Sequence, residues 1–520
     1  MNRRDALRDL FRPQPRASSR VVNIAAIDTG LEPLATPLTR EEVYHLLRRM
    51  GFGPTHERVA QLVGRSAQNV VDELLGVGDE NDTATPGGWV NAGEENPWEA
   101  DLQNRFRILN LWAANWAALN NWWMGRMVAD NNAIEKLTLF WSSHFITEFS
   151  YDELYSPPQT LFKQYQMFRK DRLGDFQKLV LDVTLDNAMV GYLGGTYNDA
   201  GRPNENYARE LMELFTTGLG WYTEGDIKEA ARVLTGWKIS FFSDKPAPNG
   251  LHNTWFDPSK HDTGAKQVLG QTVPARTADN NTEFQVKTEE VQRLIEIIHT
   301  QRPEAVSRFI ANKVYRFYVY SSPEDTSPAI VDQLAQVFRN GGFNIRTMLR
   351  TLFASAHFFD PALRGVQIKT PVEFVAGLLR QLGTTASNPH ASTVRMDQAV
   401  FDAPNVAGWP GYHYWISTNS YPVRQQFMRD AVQAMSDSAL QTFVKKFENY
   451  TDFDPFVRNV ELYFLPVAVS QERHDFYVKA LLGTAPDYEW PTIVNNTAAC
   501  AQRMRSLLNT LAKAPDFQLC

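Results

Sequence analysis

The residues best equipped for chemistry lie in four short segments. The densest is Asn204-Glu205-Asn206-Tyr207-Ala208-Arg209-Glu210-Leu211-Met212-Glu213-Leu214. On a helix, Glu205, Arg209 and Glu213 stack at i, i+4 spacing, with Asn206 and Glu210 on the flank of that face. Three carboxylates around one guanidinium suit general acid/base work or metal binding, with Arg209 holding the carboxylates in place. The same spacing also describes a solvated face laced by Glu–Arg pairs. His261-Asp262, inside Phe256–Gly264, offers a ligand or a base whose tautomer the carboxylate sets. Ordinary turn chemistry accounts for Asp257-Pro258 and Asp262-Thr263-Gly264 equally well. His144 closes Phe140-Trp141-Ser142-Ser143-His144-Phe145, where the competing reading is a satisfied core histidine. The fourth segment, Asp402 to Gly411, precedes Tyr412, His413, Tyr414 and Trp415. It is a Pro/Gly-shaped loop whose aromatics suit stacking a sugar ring or clamping a peptide, or pinning the loop to the core.

Combined into one site, Glu205, Arg209, Glu210, Glu213, His144, His261 and Asp262 would carry catalysis. Asn206, Trp237, Asn405 and Trp409 would hold the substrate. The familiar catalytic signatures are absent. There is no Gly-Lys pair for a phosphate loop, no dinucleotide fingerprint, no G-x-S-x-G elbow and no H-E-x-x-H helix. The ten histidines are scattered, with no two within five positions. Any metal site would be assembled from distant segments, and the sequence specifies neither a metal nor a cofactor.

The elements that must position these residues are mostly helical. Thr39-Arg40-Glu41-Glu42 is a capping box opening a helix that Gly51 ends, in the manner of a left-handed stop. Glu57–Leu75 makes one or two short helices, and residues 76–100 form a loop. Apolar residues then recur at helical spacing from Asp101 to His144. Helix continues from Tyr151 to Leu185, broken at Pro157-Pro158. A loop over 191–203 feeds a helix from Glu205 to Thr217, and a shorter helix runs from Thr223 to Thr235. Trp237 to Phe242 alternates like a strand, with Gln267–Val273 as its expected partner. Helices resume from Thr288 to Leu382, with a second capping box at Thr370-Pro371-Val372-Glu373. Residues 383–420 are loop-rich, and the last hundred return to helix, ending in one from Ala498 to Lys513. The expected fold is all-α with a small irregular β insertion around 237–284. Residues 1–35 form an Arg-rich arm or signal-like segment, and 36–520 one large helical domain.

Composition sets the outer limits. The chain has 520 residues, a net charge of −7, 43% apolar and 21% charged residues, which excludes general disorder. The acidic balance argues against a nucleic-acid partner. No stretch approaches eighteen uninterrupted apolar residues, so a spanning helix is not expected. Two cysteines, Cys500 and Cys520, cannot build a disulfide framework or a cysteine zinc knuckle. The first twenty residues carry six arginines, and Met1-Asn2-Arg3-Arg4-Asp5-Ala6-Leu7 looks like a twin-arginine export signal. The apolar core behind it, Val21–Ile27, is short and interrupted. A working signal implies a periplasmic or secreted protein, and otherwise the protein is cytoplasmic. Aromatic content is high at 12%. Trp112, Trp116 and Trp123 sit at helical spacing, as core residues do. Trp237, Trp255, Trp409 and Trp415 lie beside the motifs.

Taken in order, these segments resemble a large bacterial family catalogued as domain of unknown function 1800. The resemblance rests on F-W-x-x-H-F at Phe140–Phe145, N-E-N-Y-A-R-E-L-M-E-L at Asn204–Leu214 and Y-T-E-x-D-I-x-E-A-A-R-x-L-T-G-W at Tyr222–Trp237. His261-Asp262-x-Gly264, Lys369-Thr370-Pro371-Val372-Glu373 and Pro404-Asn405-Val406-x-Gly408-Trp409 extend it. It covers roughly residues 38 to 430. Family members often place a histidine just after the acidic helix. Here Leu214-Phe215-Thr216-Thr217-Gly218 has none, so a mechanism needing that histidine does not carry over. The resemblance implies a helical, often exported protein, frequently encoded beside proteins of the alkaline phosphatase and sulfatase superfamily. The resulting expectation is an envelope-related enzyme, a hydrolase among the options, acting on a polysaccharide or other surface polymer through an acid/His cluster. The alternative is a non-catalytic scaffold or assembly protein working with a phosphatase/sulfatase-like partner.

Overall fold

A computed structural model describes residues 27–76, 82–151, 154–242, 250, 252–322 and 327–520. The Arg-rich start over residues 1–26 lies outside them. Helices dominate, and their starts are written in capping chemistry. Thr39 and Glu42, Thr223 and Asp226, and Thr370 and Glu373 form reciprocal capping boxes on helices Arg40–Met50, Glu224–Val233 and Pro371–Leu382. The longest helix, Leu102–Ala129, begins at the Asp101 cap and spans about 42 Å at 1.5 Å per residue. Asp130–Ala133 separates it from Ile134–His144, so the expected single run to His144 is two helices. Further helices include Pro158–Asp171, Phe176–Thr184, Pro303–Tyr318, Pro328–Asn340, Ile345–Phe353, Ser420–Ala434 and Thr497–Leu511.

The small β content is three two-stranded antiparallel pairs among the described residues. The insertion pairs differently from the expectation. Trp237–Ile239 pairs with Thr254–Phe256, and Lys266–Val268 folds back on Gln271–Val273 as its own hairpin. Gly270 in the tight turn lets the second segment satisfy itself locally, which outcompetes a distant partner. The third pair, Ser150–Tyr151 with Leu154–Tyr155, lies where helix was expected from Tyr151, and the helix starts instead at Pro158.

Two local features depart from periodicity. Gly51 is extended (φ −125°), so it ends its helix without a left-handed cap. The acidic helix is α only over Asn206–Glu210 and then widens to a π turn over Leu211–Thr216. Thr216 Oγ1 donates to Leu211 O at 2.5 Å, and Thr217 Oγ1, just past the turn, to Met212 O at 2.8 Å. The extra residue buries Met212 and Phe215 while Leu214 is only half-buried.

One continuous apolar cluster runs from Leu38 to Phe517 and takes in Trp112 and Trp123. Trp116, half-buried, stacks on Phe149 at 5.0 Å. Around this core, three helices and one loop define a concavity. Ile134–His144 contributes its C-terminal end, Pro303–Tyr318 its last two turns, and Pro371–Leu382 its N-terminus. The loop is the stretch from Asn405 to Trp415. Gly408 (φ +85°) lets this loop lie against the first helix. A Cβ there would sit 3.6 Å from Ser143 O and be strained by its backbone angle.

Candidate functional site

The concavity is a cavity of about 360 Å³. His144, Lys313, Arg316, Gln367, Glu373, Trp409, Tyr412 and Trp415 are among its lining residues. A small ligand site of this kind is concave, largely apolar and set with a few polar groups. Its floor is rigid. Trp415 is buried, and its carbonyl accepts from Ser420 Oγ at 3.0 Å and Arg424 Nη2 at 3.3 Å. Tyr412 lies with φ +49°, and its hydroxyl is 3.2 Å from that of Tyr320. Gln367 Oε1 accepts from Ser321 N at 2.8 Å, and its Nε2 donates to Arg316 O at 2.9 Å. Trp409 is half-buried, with its ring centroid 6.4 Å from that of Trp415.

The charges in the cavity are unevenly satisfied. Glu373 is spent on structure: one oxygen meets buried Lys136, and the other accepts from Thr370 N at 2.7 Å. Burial pushes its carboxyl up, but Lys136 and Arg49 outweigh that and hold it below the ordinary value. Lys313 has no hydrogen bond and no carboxylate partner among the described residues. Its ammonium sits 5.3 Å from the Phe309 ring centroid. Arg316 makes one long hydrogen bond, to Ser321 O at 3.4 Å. Burial lowers the pKa of both cations, and Arg316 repels Lys313 as well. His144 is pushed down to about 3, by burial first and then by Lys313. It is therefore neutral at pH 7. Its Nε2–H donates to Phe215 O at 3.1 Å, and its Nδ1 is buried without a partner. A base this weak accepts hydrogen bonds but is poorly matched to proton abstraction near pH 7.

The sequence-derived site residues separate into three places. His144 and Trp409 meet in the cavity. The acidic helix forms a surface patch. Arg209 donates to Glu224 Oε1 and Oε2 at 2.9 and 2.7 Å and to Glu205 at 3.4 Å. Glu213 accepts from Tyr222 at 2.7 Å, and Glu210 is half-buried, its pKa raised by burial and by Glu213. Asn206 is exposed. The third place holds His261 and Asp262. His261 Nδ1–H donates to Thr235 O at 2.9 Å, and its Nε2 lies 3.4 Å from Glu290. Asp262 accepts a bidentate pair from Arg232 at 2.8 and 3.1 Å. Gly236 (φ +90°) permits this approach, since a Cβ there would be 2.9 Å from Asp257 O. Glu224 and Arg232 stand at opposite ends of the Glu224–Val233 helix, roughly 12 Å apart along its axis. That helix holds the acidic patch and the His261-Asp262 loop apart.

The two remaining substrate-binding expectations also fall outside the cavity lining. Trp237 is buried against Phe256, with centroids 5.3 Å apart. Asn405 is exposed, and its Oδ1 accepts from Ala407 N at 2.9 Å, which shapes the loop carrying Trp409.

Lys313, Arg316 and Gln367 escaped sequence reasoning. A signal was present. Between Ala305 and Ser322 there is no acidic residue, so Lys313 and Arg316 have no i±3 or i±4 partner on their own helix. Among the described residues, no group of three or more His, Cys, Asp or Glu side chains is placed to hold a metal ion. No described helix is long and apolar enough to cross a membrane.

The model of the family described as protein of unknown function (DUF1800) matches residues 45–519, and the chain belongs to that family. Neither a curated protein nor a solved structure matches it.

Proposed function

We propose that this protein binds a saccharide segment of a bacterial envelope polymer in the cavity beneath the Asn405–Trp415 loop. The observation that carries this is the cavity itself: about 360 Å³, with Trp409, Tyr412 and Trp415 in its wall and the neutral His144 among its lining. Flat aromatic faces pack against the apolar face of a sugar, while amides and an imidazole meet its hydroxyls. The reading favours binding over cleavage. Glu373 has both oxygens engaged, and the remaining acids named from the sequence lie elsewhere. The test is calorimetric titration of the purified chain with oligosaccharides from envelope polymers, repeated on Trp409→Ala. Binding that weakens at least tenfold, about 1.4 kcal/mol, supports the reading. Binding that is equal in both proteins rejects it. Glu205→Gln and His261→Ala should leave binding unchanged, and their loss of binding would restore the acid/His cluster as the site.

A second reading is a non-catalytic assembly protein working with a phosphatase/sulfatase-like partner. It is favoured by the remaining motifs, which are engaged in ion pairs that join elements: Arg209–Glu224 and Arg232–Asp262. Co-elution with such a purified partner, lost on Arg209→Glu, would support it.

A further inference from the structure

We propose that Lys313 and Arg316 bind an oxyanion, so that the saccharide unit held beneath Trp409 carries a carboxylate, sulfate or phosphate group. This rests on the cavity reading above and narrows its substrate class. Lys313 and Arg316 lie three residues apart on the Pro303–Tyr318 helix and so share a face. Both line the cavity, and neither has a carboxylate partner among the described residues. Both are half-buried, and cations drawn out of water are normally paired or hydrogen-bonded. Neighbouring buried cations are each held by the protein through at least one close contact. Lys136 meets Glu373, Arg49 donates to Tyr318 O at 2.9 Å, Arg424 to Lys369 O at 2.8 Å, and Lys369 to Phe517 O at 2.8 Å. Among the described residues, Lys313 leaves three N–H donors unspent and Arg316 most of its five. Two like charges side by side in a half-closed, aromatic-walled space strengthen each other's demand for a counter-charge. A planar or tetrahedral oxyanion supplies that charge with several acceptor oxygens. The carboxylate among the described lining residues, Glu373, does not supply that charge, because both its oxygens are occupied.

The test compares a digalacturonate disaccharide with a neutral disaccharide of the same linkage, and adds sodium sulfate and sodium phosphate at constant ionic strength. Each is titrated into the full chain and into Lys313→Met, Arg316→Gln and Lys313→Arg, with Tm recorded for every protein. The expected result is that the anionic disaccharide binds at least tenfold tighter than the neutral one. Lys313→Met and Arg316→Gln should each remove about tenfold of that preference, and Lys313→Arg should retain it. Lys313→Met should also raise Tm in the absence of ligand, which a merely structural lysine would not do. If both disaccharides bind the wild type equally, the anion proposal fails while the cavity reading stands. If sulfate or phosphate raises the Tm of the wild type but not of Lys313→Met, and neither disaccharide binds, the oxyanion site stands as a site for a free ion and the saccharide reading fails. If no probe acts on the wild type, both are overturned.

Discussion

Two corners of this molecule draw cations at least partly out of solvent, and they treat them in opposite ways. In the first, Glu290 is buried among Lys266, Arg276 and His261. Lys266 reaches it at 2.7 Å, Arg276 at 2.5 Å and His261 at 3.4 Å. Lys266 also donates to Asp262 O at 2.5 Å, and Arg276 to Asn280 O at 2.6 Å. Burial pushes the Glu290 carboxyl up, but His261 and Lys266 hold it below its ordinary value. In the second corner, Lys313 and Arg316 line a cavity with no carboxylate partner among the described residues. The first corner spans Asp262 to Glu290 and fixes the insertion to the helical body. The second leaves part of its bonding capacity open toward space large enough for a ligand. The difference separates two uses of buried charge. A fully paired cluster is explained by the fold, and one without a partner among the described residues keeps bonding capacity for a ligand.

The largest expected effect breaks the paired side. Glu290→Ala leaves Lys266 buried without its ion-pair partner and Arg276 with only the exposed Glu289, and should destabilise the protein by about 3–5 kcal/mol in urea denaturation. A loss below 1 kcal/mol would mean that the network does not hold the insertion.

Acid titration comes next. His144 has a folded pKa of about 3, against 6.5 for an ordinary histidine. As pH falls below about 6.5, the unfolded chain takes up this proton and the folded chain does not. Stability present above that pH is therefore lost progressively down to about pH 3, at roughly 1.4 kcal/mol per pH unit for one such group. His56, His252, His299 and His390 are pushed down to about 4 by burial and act in the same direction. His144→Gln should flatten the slope of stability between pH 6 and 4, and an unchanged slope would show that His144 is already charged when folded.

Lys313→Met sharpens the comparison from the unpaired side. It should stabilise the chain by about 0.5–2 kcal/mol at pH 7, the opposite sign to Glu290→Ala. A destabilised variant would show that Lys313 serves the fold. The smallest effect belongs to the surface patch. Arg209→Ala should shift Tm by no more than about 2 °C, because its partners Glu205 and Glu224 are solvated. A larger shift would move this patch into the class of structural networks.

Much of the helical framework was legible because caps and periodicity act locally. The Thr39 and Thr370 capping boxes lie where the sequence puts them. The strand pairing was not legible, because Trp237–Ile239 had two apolar partners to choose between and its true partner, Thr254–Phe256, is only three residues long. The candidate cavity was half legible. His144 and the Trp409 loop carry their chemistry in their own residues, and the sequence isolated both. Glu373 reads from sequence as a capping residue only, since Lys136 reaches it from 237 positions away. Lys313 and Arg316 look like ordinary charges on an amphipathic helix until the absence of acids around them is noticed. Conversely, Glu205, Arg209 and Glu213 look like a site because of their spacing. Arg209 turns instead to Glu224 on the next helix, a pairing that spacing within one helix does not reveal.

The central claim is that the unpaired cations and the aromatic loop together form the ligand site. The most direct measurement is a crystal structure of the full chain grown with a digalacturonate disaccharide. The account predicts a sugar ring on Trp409 with its carboxylate within hydrogen-bond distance of Lys313 Nζ and the Arg316 guanidinium. A ligand seated instead on the Glu205–Glu224 patch or beside His261, with the cavity empty, would contradict it.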